Sequence, residues 1–117
     1  MNKKELGAIG EKYAADYLKG KKYEILQLNF SCPLGEIDII AKYKNSIVFV
    51  EVKTRTSTKF GKGMEAVNYY KQQKLRKVAL YYLNNKAPFF SNIRFDVIDI
   101  LIQNEDEIKI EHIENAF

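Results

Sequence analysis

A chain of 117 residues, 46% hydrophobic and 29% charged, has the balance of one folded domain spanning 1–117, and global disorder is excluded. No apolar run approaches the roughly 20 residues of a membrane helix, and the lone Cys32 has no internal disulfide partner. With no export signal at the N-terminus, the expectation is a cytoplasmic protein with no membrane partner, and a net charge of +4 favours a polyanionic one.

Residues 3–19 read as a helix, with Leu6, Ile9, Tyr13, Tyr17 and Leu18 as its apolar stripe and Gly20 placed to end it in a left-handed cap. Tyr23 to Phe30 reads as a strand, and 31–35 as a loop. Two apolar strands follow, 36–42 and 47–53, around a short polar turn, which makes a hairpin. The second is apolar on both parities through Val52, the pattern of a central strand covered on both faces. Residues 54–63 read as a basic loop. A long helix follows, firmest over 69–84, with Leu75, Val78, Ala79, Tyr82 and Leu83 on its buried side. After a loop containing Pro88 come strands at 93–101 and 108–113. The order α-β-β-β-α-β-β predicts an α/β sandwich with helices covering a mixed sheet.

Charge is unevenly spread. Lys53, Arg55, Lys59, Lys62, Lys71, Lys74, Arg76 and Lys77 are opposed only by Glu65, whereas the chain from Asp96 onward is acidic. The basic stretch suits a nucleic-acid partner; its alternative is a solvated helix face.

The hairpin carries the chemistry. Residues two apart on a strand share a face, so Glu36 goes with Asp38, and Glu51 with Lys53. If the hairpin pairs around Lys44-Asn45, Asp38 and Glu51 become neighbours. Carboxylates among Ile37, Ile39, Ile40, Val50 and Val52 lose several kcal/mol of solvation unless something compensates. Mg²⁺ (or Mn²⁺) held by Asp38 and Glu51 would do so, and would leave positions for water and a phosphate oxygen. Lys53 would then orient or deprotonate the water, or stabilise the transition state. A structural ion-pair cluster is the other reading of the same three residues. His112 stands alone and reads as structural; no zinc set, thiol nucleophile or P-loop is present in the sequence. Tyr82 reads as core, while Tyr69 and Tyr70 are open to base stacking.

Asp38, twelve residues, then Glu51-Val52-Lys53 resembles the PD-(D/E)xK motif of restriction endonucleases and archaeal-type Holliday junction resolvases, with Ile37 where the motif has proline. The likeness extends to Gly7-Ala-Ile-Gly-Glu11, Gly35-Glu-Ile-Asp-Ile-Ile-Ala41, Val48-Phe-Val-Glu-Val-Lys-Thr-Arg55, Phe60-Gly61, Glu65-Ala-Val67, Arg94-Phe-Asp96, and His112-Ile113 with Asn115-Ala-Phe117. Together these resemble the YraN family of uncharacterised, endonuclease-like bacterial proteins. The resemblance implies a restriction-endonuclease-like three-layer sandwich and a metal-dependent DNA endonuclease acting on structured or branched DNA. It implies Asp38, Glu51 and Lys53 as catalytic residues, with Glu11 supplied from the first helix. Glu36 is a further candidate ligand, and Lys71 and Gln72 stand where related nucleases place polar residues facing the site. Resolvase-like relatives act as dimers, so a homodimer is an arrangement the resemblance allows. A non-catalytic nucleic-acid-binding module that keeps the fold is the alternative function, and an interaction module using the acidic C-terminal region a weaker one.

Overall fold

In the computed structural model, residues 2–56, 67–86, 92–104 and 106–117 are described. Helix α1 spans Lys3–Gly20 and is capped by Asn2, whose side chain accepts from the Glu5 amide at 2.8 Å. Strands β1 (Glu24–Cys32), β2 (Gly35–Tyr43) and β3 (Ser46–Arg55) form an antiparallel meander. Helix α2 (Tyr69–Lys86) leads to β4 (Asn92–Asn104), which pairs parallel to β3; β5 (Glu107–Ile113) returns antiparallel. The strand order is β1-β2-β3-β4-β5, so β3 is central in a five-stranded mixed sheet, as its apolar sequence predicts.

The two helices cover opposite faces. Leu75, Val78, Ala79 and Tyr82 of α2 pack with Ile37, Ile40, Phe49 and Phe95. Ala14, Ala15 and Leu18 of α1 pack with Ile39, Val48, Val50 and Ile98. The arrangement is compatible with a three-layer sandwich. No helix of the described residues is long and apolar enough to cross a membrane.

Several local expectations change. Of the expected α1 stripe Leu18 is buried and Tyr17 packs against the core, but Tyr13 is 38% exposed, and Gly10, Ala14 and Ala15 complete the side that meets the sheet. The reason is proximity: a Cβ on Gly10 would collide with the Thr54 side chain, so small residues hold this contact. The left-handed turn after α1 falls on Lys22 (φ 72) and not on Gly20, the last helical residue; the Tyr23 amide donates to the Leu18 carbonyl at 2.9 Å across it. The expected loop at 31–35 is only Pro33-Leu34, because the β1 and β2 ladders run on to Cys32 and Gly35. Strand β3 continues through Arg55, paired with Leu101.

On the α1 side of the sheet, around β4, a polar strut replaces apolar packing. Asp96 is fully buried and accepts from Arg94 Nε (2.9 Å) and Nη2 (2.8 Å) and from the Asn115 amide (3.0 Å), and lies 2.7 Å from His112 Nε2. Arg94 also donates to the Tyr23 hydroxyl at 2.6 Å. Burial alone would raise the Asp96 pKa, but the bonds from His112, Arg94 and Asn115 pull it below the usual carboxylate range. His112 has the structural place expected of it.

A carboxylate–lysine cavity on the central hairpin

Strands β2 and β3 turn at Lys44-Asn45, with Tyr43 opposite Ser46 and Lys44 at φ 53. The ladder runs up to Ile39 opposite Val50. Beyond it the Asp38 side chain takes over: its Oδ2 accepts from the Val52 amide at 2.8 Å. The sequence-predicted neighbours Asp38 and Glu51 are thereby brought together. They line a cavity of about 180 Å³ with Glu36, Lys71, Lys74 and Leu75.

Glu51 is 8% exposed. Lys71 Nζ stands 3.4 Å from its Oε1 and Lys53 Nζ 3.8 Å. Burial first, and then the charge of Asp38, push the Glu51 carboxyl up to about 7, and a carboxyl–carboxyl hydrogen bond with Asp38 acts in the same direction. Burial and the adjacent Lys71 hold Lys53 below the ordinary lysine range; Lys71, bonded to Lys53 and Glu51, is held above it despite burial.

Among the described residues the other two buried acids differ. Asp99 is bound by Arg55 in a two-pronged pair, at 2.7 and 3.1 Å, and Asp96 is held by Arg94 and His112. Glu51 alone of the three faces cations that stand off beyond 3 Å. A hard divalent cation is chemically suited to this donor set. It would relieve two crowded carboxylates, and an ion that keeps most of its waters needs few protein oxygens. Among the described residues no group of three His, Cys, Asp or Glu closes tightly enough to hold an ion by protein ligands alone.

The remaining predicted residues take distinct places. Glu11 lies in a groove of α1 and β1 with Asn29. Its carboxyl is raised by burial and by the charges of Asp38 and Glu36, so it senses the site without lining the cavity. Gln72 donates to the Val67 carbonyl at 3.0 Å, at the start of α2. Arg55 is engaged by Asp99. Lys74 reaches the cavity wall, and Lys59 and Lys62 lie outside the described residues. Asn29 was not legible in the sequence: it sits in β1 at φ 52, lines the same groove as Glu11 and offsets part of the rise in its carboxyl. An asparagine tolerating a left-handed backbone was the only available signal.

Fold and site together define an α/β protein with an acid–acid–lysine cavity on its central hairpin. The model of the Uncharacterised protein family UPF0102 matches residues 10–100. A UPF0102 protein of Thermodesulfovibrio yellowstonii is 56% identical, over all of this chain and 99% of its own length. One from Alkaliphilus oremlandii is 54% identical, over the whole of both chains, and one from Caldanaerobacter subterraneus subsp. tengcongensis is 51% identical, over all of this chain and 98% of its own. The chain belongs to the UPF0102 (YraN) family.

Proposed function

We propose that the protein is a metal-dependent phosphodiester hydrolase of the PD-(D/E)xK type, with a restriction-endonuclease-like fold, acting on structured or branched DNA. The observation that carries this reading is Glu51: a buried acid pressed against a second carboxylate, with two lysines held at a distance. Asp38 and Glu51 would hold Mg²⁺ or Mn²⁺, which when bound supplies a polarised phosphoryl oxygen and an acidified water. Lys53, with its lowered pKa, is suited to accept a proton from the attacking water or to face the charge that develops on phosphorus. Lys71 and Lys74 would position the phosphate from α2.

The test is cleavage of labelled single-stranded, duplex, flap and four-way-junction DNA with Mg²⁺, Mn²⁺ or EDTA. Cutting should require metal and fall by about 100-fold or more in Asp38→Ala. Cutting that survives the substitution would sink the mechanism. A second reading, a binding module without turnover, is favoured by Lys53 and Lys71, which already stand against Glu51 as a cation would. It expects no cutting, with Asp38→Ala binding DNA as well as the wild type or better.

A further inference from the structure

A second groove adjoins the carboxylate cavity. It has a volume of about 350 Å³ and is lined by Pro33, Leu34, Tyr70, Gln73, Lys74 and Lys77. Lys74 lines both, so the two lie on either side of one side chain. The lining is segregated by chemistry. Pro33 and Leu34, in the β1–β2 turn, and the Tyr70 ring give apolar walls; Leu34 is 46% exposed and Tyr70 76%. Lys74, Lys77 and Gln73 give the polar rim. Among the described residues no acidic side chain lines this groove, in contrast to the three in the cavity beside it.

We propose that this groove binds an unpaired nucleobase of the substrate strand together with its flanking phosphate. A flat aromatic ring between apolar walls matches the π-face of a base, and such stacking tolerates any sequence. The two lysines match the phosphates on either side, and the Gln73 amide offers both a donor and an acceptor to a base edge. A base inside a duplex has both faces covered and cannot enter. The site therefore selects strands with unpaired nucleotides beside the phosphate held at the carboxylates: a flap, an overhang or an opened junction. The proposal rests on the nucleic-acid-facing reading of the carboxylate cavity, and it narrows the substrate class.

Binding is measured in EDTA, by fluorescence anisotropy of labelled oligo-dT and of a blunt duplex, in the Asp38→Ala background. Tyr70→Ala should weaken oligo-dT binding by about 5-fold or more. Tyr70→Phe should retain it, and blunt-duplex binding should not change. Equal oligo-dT binding with and without Tyr70, or equal losses on oligo-dT and duplex, would overturn the proposal. The two readings separate cleanly. Tyr70-dependent binding without cleavage of any substrate keeps the subsite and rejects the hydrolase; metal-dependent cleavage with Tyr70-indifferent binding does the reverse.

Discussion

Glu51 and Asp99 sit on neighbouring strands and are both buried, yet they meet opposite solutions. Asp99 is closed by an arginine fork. Glu51 is left with a second carboxylate against it. Its carboxyl rises from 4.5 in the unfolded chain to about 7 in the folded one, so the native protein binds the extra proton over that interval. Stability should therefore decline as pH rises from about 4.5 to about 7, and stay level above, by on the order of 1–3 kcal/mol. Urea unfolding at pH 5 and pH 8 measures this. Glu51→Gln should shrink the difference to the smaller part that the raised Glu11 carboxyl contributes, and Mg²⁺ at pH 8 should restore the wild type's loss. A wild type equally stable at both pH values would show that the carboxyl is not crowded as described.

At the scale of elements, the site depends on how closely α2 lies over the start of β2. Gly35 has φ 142, and a Cβ there would stand 3.1 Å from Lys74 Cε and 3.2 Å from Val78 Cγ2. Glycine thus meets a backbone and a packing requirement at once. Gly35→Ala should cost about 1–3 kcal/mol and lift Lys74 from the cavity wall. A denaturation midpoint unchanged by the substitution would refute this. The hairpin and the buried face of α2 were legible because both are written as periodic apolar residues: Ile39, Val50 and Phe49 on strands, Leu75, Val78 and Tyr82 on a helix. The contact face of α1 was legible only at Leu18, because hydropathy ranks Gly10 and Ala14 low and a close approach selects for them. Likewise the sequence marks Lys71 as basic, but only the placement of α2 puts it 3.4 Å from Glu51.

Across the whole molecule, the ends of the chain are fastened far from the carboxylate cavity in sequence. Arg94 joins Tyr23, Asp96 and Glu114, while Tyr17 of α1 packs edge-on to His112 at 5.6 Å. One guanidinium so ties β4 to the entry of β1 and to the segment after β5. Arg94→Met leaves fully buried Asp96 short of its main cation, and should cost about 3–5 kcal/mol, seen as a large fall in Tm. A fall of only a degree or two would mean that His112 and the Asn115 amide suffice. The motifs Arg94-Phe-Asp96 and His112…Asn115, noticed in the sequence beside the hairpin acids, belong to this strut and not to the cavity.

Asp38 completes the β2–β3 ladder with its side chain, at the Val52 amide, while facing Glu51. A single carboxylate is thus shared between the backbone and the cavity. Whatever draws charge from it, a proton or a cation, also weakens its hold on one main-chain N–H. The Val52 amide resonance and its exchange with solvent are consequently an internal gauge of cavity occupancy, readable without substrate, turnover or any label beyond ¹⁵N.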